Sequence, residues 1–592
     1  MQQSEAATRF CAAVDALHSG NDAAAANAWL LAFAEEPHAP AACESVVASP
    51  NASVAQQVFA VGVVGRAAAR LPVGTSIEPL LQLIGAPGSS PQAVASLAVF
   101  LSAATLAAGA EEQLLACSSF VAFPPGKQLA VLHALAEGLA QQASIEELRA
   151  KPPVVAACQR AVHTLQHVAL ETPAAAAGGV DSADAADVGR CAALRCLAAW
   201  AECGVDYMTL CRGYPSLTSA LFGCLDPRAI ERSPHGAWPS LQLPAIAASV
   251  LRACLQSALE ADEPLTIDAC APLFSIAAAW SGDTSAAASA GAAAPAWSSV
   301  RSLGTPQVDL STGLSDGGGP DATVRTELAC GLAAISALAL ELTVEDTDEA
   351  FRSATNGEGG AAAAPLRGAI ALLLASTDHA LTGPAEIAAE GWISLAAALP
   401  SAPHSAAPWR GELYTLVVQC AVRRCSRAHL RAGTGEDADD LEEWRERCAA
   451  PLLTACSELL GVAPYLEPLA AALQAALEGR AHPAHGWGGP GPMQQLEALE
   501  AIESLLFAAA CTSGHGSQRG CSAAAAAAAK VEQLAAAAAS AAATPGALGS
   551  QAAEIAGAVL SRAAACRAAL DCVMSDDADF EPRGGLGWAS LT

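Results

Sequence analysis

The chain has 592 residues, which is more than one hydrophobic core can organise and suggests about three or four domains. Hydrophobic residues make up 53% of it but aromatic residues only 4%, and alanine, which buries little area per residue, supplies much of the apolar total. The net charge of −29 argues against a general affinity for nucleic acid or anionic membranes and favours partners with basic faces. Because runs of alternating β-branched residues are scarce, we predict an all-α fold.

The predicted helices follow one another with only Pro, Gly and short polar turns between them. In Cys191–Gly204 the residues Ala193, Leu197 and Trp200 share one face, and Gly204 suits a C-terminal cap. The next clear case, Pro244–Glu260, has an apolar face made of Ala247, Leu251, Cys254 and Ala258. Both spacings are typical of amphipathic helices that bury one side.

The second half of the chain repeats this pattern. One apolar stripe consists of Val324, Leu328, Leu332, Ile335, Ala339 and Leu342. A further helix is predicted over Pro384–Leu399, with Pro384 in its first turn and Pro400 after its end. The last predicted helix lies near Gln551–Met574, followed by a frayed tail.

Helices in series without strands must bury their stripes against each other. The economical arrangement is an α-α superhelix, a HEAT/armadillo-like solenoid of antiparallel helix pairs. HEAT-type units take about 40–47 residues, so roughly ten to twelve pairs fit this length. The prediction depends on helix spacing, because the sequence has no crisp internal repeat.

Three stretches interrupt the helical pattern. Glu171–Gly189 and Ser281–Asp321 are rich in Gly, Ala, Ser and Asp, and we predict disordered insertions there. Cys511–Pro545 contains two polyalanine tracts. A helix without a large apolar face has little to dock with, so this segment is predicted to be low-complexity.

The segment Gly435–Arg447 (GEDADDLEEWRER) has the highest charge density in the chain. It places seven carboxylates in the eleven residues from Glu436 to Glu446, although charged residues make up only 15% of the sequence. Like charges repel, so we expect this run to stay solvated and outside the core, as an acidic loop that leads into a buried helix. A basic partner is the natural ligand for such a loop, although a solvated insertion without a partner has the same composition.

The sequence contains no positive evidence for catalysis or for a cofactor. It lacks a GxxxxGK phosphate loop, an HExxH pair and a GxSxG elbow. His482 and His485 lie among Pro and Gly, which favours a loop over a metal site, and the pairs Cys191/Cys196 and Cys420/Cys425 lack a matching His pair. We therefore predict a protein that is not an enzyme and that binds no metal and no cofactor.

The twenty cysteines predict a reducing compartment. Several of them fall on apolar helical faces, no CxxC pair occurs, and the N-terminus lacks a signal-peptide pattern. Ile370–Leu374 is the centre of the most apolar run and is far shorter than the roughly 18 residues that a membrane helix needs, so we predict no membrane association. Trp29, Trp200 and Trp392 are predicted to be structural anchors between helices, because a buried indole hides about 150–250 Å².

Five segments, taken in order, resemble the importin-β superfamily, and in particular its transportin-three and importin-thirteen branch. The first is N-terminal and has two parts: AAAANAWLLAF at Ala23–Phe33 and VAQQVFAVGVVGRAAARLP at Val54–Pro72 resemble the first two helical repeats. The four later matches are Leu194–Val205, Ala385–Leu395, Glu436–Leu460 and Gly486–Phe507. In that order they resemble the branch's "RCL.SW...GV" helix, its "FW..L" helix, its acidic segment leading into "EEWRxR" and its "W...EA.LF" helix.

The resemblance implies a nuclear transport receptor that shuttles between nucleus and cytoplasm. Its implied partners are the GTP form of the small GTPase Ran, protein cargo and nucleoporins, with no direct contact to nucleic acid or membrane. The family's acidic segment touches the basic face of Ran, so the implied Ran contacts here are Asp437, Asp439, Asp440, Glu442 and Glu443. The resemblance also implies that an early helix faces Ran, and this helix carries Gln56, Gln57 and Arg66.

Two departures from the family pattern are present. Family members are longer than this chain, so the resemblance implies that the C-terminal part, which helps to hold cargo, is missing. The third-repeat region, Pro91–Leu115, also lacks the tryptophan that the family pattern leads one to expect.

The alternative function is a cytosolic HEAT-repeat scaffold that does not bind Ran.

These observations divide the chain into five parts. They are importin-β N-terminal-like repeats (1–90), further importin-like helical repeats (91–280), a disordered insertion (281–322), HEAT-like repeats that include the acidic loop 435–447 (323–510), and a low-complexity alanine-rich segment with a final helix and tail (511–592).

Overall fold

A computed structural model describes most of the chain, namely residues 2–20, 22–70, 77–171, 180–227, 242–281, 320–355, 360–379, 381–399, 408–426, 437–478, 492–512, 522–543 and 550–574. Within these ranges the regular structure is helical and no strand occurs. Neighbouring helices pack against each other in pairs, so the fold is an all-α solenoid, as predicted. The contacts divide the chain into two compact units, Met1–Cys224 with Gln242–Glu263, and Leu225–Leu241 with Pro264–Thr592.

The helices of the first unit are α1 (Gln2–Ser19), α2 (Ala23–Ala34), α3 (Ala39–Val47), α4 (Val54–Ala69), α5 (Ile77–Gly85), α6 (Pro91–Ala108), α7 (Glu111–Ala116), α8 (Ser118–Val121), α9 (Pro125–Ala140), α10 (Ile145–Arg149), α11 (Pro152–Glu171), α12 (Val180–Glu202), α13 (Tyr207–Gly213), α14 (Pro215–Cys224) and α15 (Gln242–Glu260). In this unit α4, α6, α9, α12 and α15 form one row in which each helix packs against the next. A second layer covers the row, with α3 on α4, α5 on α6 and α11 on α12.

The helices of the second unit are α16 (Ile267–Ser281), α17 (Pro320–Leu342), α18 (Val344–Thr355), α19 (Gly360–Thr377), α20 (Thr382–Ala398), α21 (Pro408–Arg424), α22 (Ala438–Trp444), α23 (Ala450–Leu460), α24 (Val462–Leu477), α25 (Pro492–Ala510), α26 (Ser522–Ala543) and α27 (Ser550–Met574), with a π-helical turn, Arg445–Ala449, between α22 and α23. Here α16 packs on α19 and α17 on α20. At the end of the unit α24 packs on α26, and α27 packs on both α25 and α26.

The predicted helices and their buried faces are confirmed with small shifts of boundary. The helix predicted from Pro244 begins at Gln242, and its whole predicted stripe is buried. In the stripe that begins at Val324, the later positions from Leu328 onward are buried, whereas Val324 itself is half-buried. The helix predicted near Gln551–Met574 begins one residue earlier, at Ser550.

Gly204 ends its helix as predicted. Its φ of +106° lies in the left-handed region, which glycine adopts without a steric penalty. The N–H of Gly204 donates to the carbonyl of Ala201, and the N–H of Val205 donates to that of Trp200. This pair of bonds is a Schellman cap, which satisfies the last free carbonyls of α12.

Two of the predicted interruptions turn out differently. In the stretch predicted to be disordered from Glu171 to Gly189, a helix already begins at Val180, while 172–179 lie outside the described residues. The prediction that the polyalanine segment has little to dock with is wrong. Its helix α26 buries Ala524, Ala527, Ala528, Val531, Ala535 and Ala538 against α24 and α27, because methyl-sized side chains let helices approach closely. Residues 282–319 of the second insertion are not among those described.

Two of the described helices are long and apolar enough to cross a membrane, contrary to the expectation that no run approaches that length. They are Pro91–Ala108 and Thr323–Leu342, and 61% of the second is buried inside the protein. The core helix of a soluble protein passes the same test, so length and composition alone are weak evidence for a membrane span.

Candidate functional site

The five predicted acidic residues lie on one capped helix start, which we call the acidic turn (Asp437, Asp439, Asp440, Glu442 and Glu443). Asp437 is the N-cap of α22, and its Oδ1 accepts from the N–H groups of Asp439 at 2.9 Å and Asp440 at 3.0 Å. Asp440 Oδ2 in turn accepts from the N–H of Asp437 at 3.0 Å. Reciprocal capping, together with the helix dipole, stabilises negative charge at this end of a helix. The acidic residues therefore begin a helix and do not form the predicted loop.

Four members of the acidic turn face solvent. Asp437, Asp439, Asp440 and Glu443 are exposed, as a run of like charges predicts. Glu443 forms an ion pair with Arg447 one helical turn later, at 2.6 Å, and both side chains are exposed. An exposed pair of this kind is weak, so Glu443 remains accessible to a partner.

Glu442 does not follow the prediction that the acidic run stays outside the core. Its side chain is only 37% exposed and pairs with Arg445 and with Arg562. The neighbouring Leu441 and Trp444 are buried, so one face of α22 enters the core directly behind the exposed carboxylates. The sequence prediction was wrong here because residues three or four positions apart share one face of a helix, while adjacent residues point to different sides. A count of charges along the sequence ignores this difference.

Arg445 lies at the centre of a buried charge network (Arg445, Glu442, Glu503 and Arg562). Its side chain is 0% exposed, and that of Glu503, on α25, is 1% exposed. Arg445 Nη1 donates to Glu503 Oε1 at 2.9 Å, and Nε donates to the carbonyl of Cys425 at 3.1 Å. Buried charges are tolerated when they are paired and hydrogen-bonded in this way.

The π-helical turn Arg445–Ala449 positions this network. A π-turn inserts one residue into a helix and is found frequently at functional sites. Here it begins at Arg445 itself and is followed directly by α23, with Pro451 near the start of that helix. The guanidinium also lies over the ring of Phe507, 5.8 Å from its centroid.

The electrostatics of the network favour its charged state. Burial raises the pKa of Glu442, but Arg445 and Arg562 oppose it, and the net result is a pKa below the ordinary value. Burial also lowers the pKa of Arg445, but Glu503, Cys425 and Glu442 raise it, and the net shift is upward. Both groups therefore stay ionised around neutral pH.

The three early candidates lie in the first unit, whereas the acidic turn lies in the second. Gln56 is buried, closes the capping box with Ser53, and donates from Nε2 to Asp15 at 2.9 Å. Gln57 is also buried, and it hydrogen-bonds to three backbone groups in the turns before α4 and α6. Arg66 is exposed in the last turn of α4. Of the three, Arg66 alone presents its side chain to solvent.

The anchor prediction is confirmed for two of the three tryptophans. Trp200 and Trp392 are fully buried, and Trp392 Nε1 donates to Thr377 Oγ1 at 2.9 Å. Trp29 is only half-buried. Its ring stacks on Phe33, with centroids 4.9 Å apart, and the guanidinium of Arg9 lies 5.6 Å from its centroid.

The cysteines of the described residues are free thiols, and most of them are buried. Burial raises the pKa of Cys425 to about 12, against which the nearby Arg445 and Arg424 act. A raised pKa makes a thiol a poor nucleophile and a poor metal ligand. Among the described residues no group of three or more His, Cys, Asp or Glu side chains is placed to hold a metal ion, and His482 and His485 lie outside those residues.

Reasoning from the sequence missed Glu503 and Arg562, although a signal for both was present. Each is a lone charge inside an apolar helical run, AIESLLF and AVLSRAAA. A charge at a core-facing position of such a helix requires a partner, which marks both as candidates for a buried pair. The identity of the partners could not be read from the sequence, because they lie far away along the chain.

No protein-family model matches this sequence, and no curated protein shows significant similarity to it.

Proposed function

We propose that this chain is a nuclear transport receptor of the importin-β type, which binds the GTP form of Ran and protein cargo on its helical array. Two things support the proposal: the ordered resemblance of five segments and the all-α solenoid fold. Within the described residues the resembling segments fall on helices α2, α4, α12, α20, α22–α23 and α25. A solenoid supplies an extended surface for protein partners, and each helix pair adds to it.

The observation that carries the proposal is the exposure of the acidic turn. Asp437, Asp439, Asp440 and Glu443 present four carboxylates on a capped helix start, close to the buried anchor Trp444. A rigid cluster of one sign attracts a basic protein face over a distance and raises the association rate. Cargo and Ran that share the array would weaken each other's binding through a coupling free energy.

A second candidate function is a HEAT-repeat scaffold that does not bind Ran. The burial of Gln56 and Gln57 favours it, since both amides are engaged within the first unit and not presented to a partner. The pairing of Glu442 inside the protein points the same way. The two functions are separated by a nucleotide-dependent binding measurement.

The test is binding of the purified chain to Ran loaded with a GTP analogue or with GDP, at two salt concentrations. The proposal requires binding to the GTP form alone, with an affinity that falls as salt rises because exposed charges are screened. Equal binding to both forms, or binding to neither, would exclude the transport function and leave the scaffold.

The acidic turn is tested by the variant D437N/D439N/D440N/E443Q, which removes four charges and keeps the capping oxygens. Glu442 is left intact because its carboxylate is already paired with Arg445 and Arg562. The matched control, D268N/E327Q/E458Q/E467Q, removes four exposed charges elsewhere in the same unit. We expect the first variant to slow association with Ran by roughly tenfold and the control to leave it nearly unchanged. Equal effects of the two variants would show that only net charge matters and that the turn is not the contact.

A further inference from the structure

We infer that Arg562, on α27, the last helix of the described residues, occupies the place of a basic partner at Glu442 and so regulates the acidic turn from within the chain. The inference rests on the proposed function, in that it takes the acidic turn as the docking site of a basic protein face. It adds an internal competitor for that site.

The contact itself is specific. Arg562 Nη2 lies 2.5 Å from Glu442 Oε2, and its guanidinium also lies over the ring of Phe507, 5.0 Å from the centroid. Glu442 therefore uses one oxygen for Arg562 and the other for Arg445. The two residues are 120 positions apart in the sequence, so their contact joins α27 to the acidic turn.

Of the four charges in the network, Glu442 and Arg562 alone can be reached from solvent. Their side chains are 37% and 15% exposed, against 0% for Arg445 and 1% for Glu503. A partner cannot replace Arg445 without opening the core, where its Nε and Nη2 also bind the Cys425 carbonyl. The basic group of a partner could, however, take the place of Arg562 at the rim, because the Glu442 carboxylate that Arg562 holds is partly exposed.

The helix that carries Arg562 is docked through a mixed apolar face. The buried residues of α27 are Ile555, Ala556, Val559, Ala563, Cys566 and Leu570, and Leu560 on its outer side is 41% exposed. Arg562 lies beside this buried face and is partly exposed, so a competing basic group could displace its guanidinium from Glu442 while the apolar face stays packed.

Competition at Glu442 has a reciprocal consequence. A partner that uses the whole acidic turn must displace Arg562 and so binds more weakly than it would to the bare turn. By the same linkage, bound partner loosens α27, and any factor that stabilises α27 lowers the affinity for the partner. The pair of helices α26 and α27 thus sets the affinity of the acidic turn for a partner through Glu442, and not through the four exposed carboxylates.

The first test compares R562Q with R567Q. Arg567 lies on the same helix but pairs with Glu532 on α26, at 3.6 Å, so R567Q removes one charge from α27 without touching the acidic turn. With Ran loaded with a GTP analogue as the probe, we expect R562Q to bind roughly fivefold more tightly than R567Q. In an E442Q background the R562Q substitution should have no further effect. If R562Q binds no more tightly than R567Q, or if its effect persists in E442Q, the inference is wrong.

The second test measures amide hydrogen exchange, first in the wild-type chain. Adding the same form of Ran should accelerate exchange in 550–574 while it slows exchange in 437–444. Unchanged or slower exchange in 550–574 would overturn the inference even where R562Q folds poorly. If the wild type binds no Ran, the proposed function fails. Exchange in residues 437–444 of the free variants then tests the contact by itself. Faster exchange in R562Q than in R567Q would show that Arg562 holds these residues in place, and equal exchange would show that it does not.

Discussion

Gln57 Nε2 donates to the carbonyl oxygen of Gly88 at 2.7 Å and to that of Ser49 at 2.9 Å. Its Oε1 accepts from the N–H of Ser90 at 2.8 Å. One buried amide therefore joins the turn before α4 to the turn before α6, and so links two neighbouring helix pairs of the first unit. The resemblance to Ran-binding receptors led us to expect a contact residue here, but the geometry gives Gln57 a role in holding the array together.

The Q57A substitution is expected to lower the free energy of unfolding by about 2 kcal/mol, because it leaves three backbone groups in the turns without their partner. Gln92 is exposed at the start of α6, and Q92A is the matched control. Urea denaturation of both variants is the measurement. A Q57A chain as stable as Q92A would mean that water replaces the amide at no cost.

Gly368 allows α19 to approach α16 closely. A Cβ at this position would lie 2.5 Å from Ala278 Cβ and 2.6 Å from its backbone N, where no side chain can move aside. We expect G368A to destabilise the second unit by about 2–3 kcal/mol through overpacking. In contrast, a Cβ at Gly557 on α27 meets no atom within 4 Å, so G557A should stabilise its helix by about 1 kcal/mol. Thermal unfolding of the two variants should therefore shift in opposite directions, and a shift in the same direction would contradict the close approach.

Arg410 and Asp348 form a second buried ion pair in the second unit. Arg410 Nη2 lies 2.7 Å from Asp348 Oδ1, and both side chains are buried. The R410M substitution should cost about 3 kcal/mol, because the carboxylate loses its guanidinium while it stays in the core. The double variant D348L/R410M should recover part of this loss, since an apolar pair leaves no buried charge. E35Q, in the exposed pair with Arg70, should leave the denaturation midpoint unchanged. A double variant less stable than R410M would show that the unpaired carboxylate is not the cause of the loss.

The sequence predicted those parts of the fold that depend on local periodicity. The stripe of α15 and the cap at Gly204 follow from residues within a few turns of each other, so they could be read directly. The charge network could not, since Arg445 meets Glu503 across 58 residues and Glu442 meets Arg562 across 120. The docking of α26 was missed for another reason: single alanines give no amphipathic signal, and their burial depends on how closely α24 and α27 approach. For the acidic turn, composition predicted the exposed carboxylates but not the one that turns inward.

The buried thiols predict a loss of stability at alkaline pH. Burial raises the pKa of Cys43 and of Cys158 from the ordinary value of 9.0 to about 12. Above pH 9 the unfolded chain releases these protons and the folded chain keeps them, so the unfolded state gains free energy of ionisation. Stability is therefore unaffected by these groups below about pH 9 and falls as the pH rises from about 9 towards about 12.

The C43A/C158A variant should reduce the slope of unfolding free energy against pH in that window, by up to about 1.4 kcal/mol per pH unit for each thiol. C117A, at a half-buried thiol, is the control, and urea denaturation between pH 8 and 11 is the measurement. The argument fails if C43A/C158A and C117A show the same slope, because the two buried thiols would then ionise as readily in the folded chain as in the unfolded one.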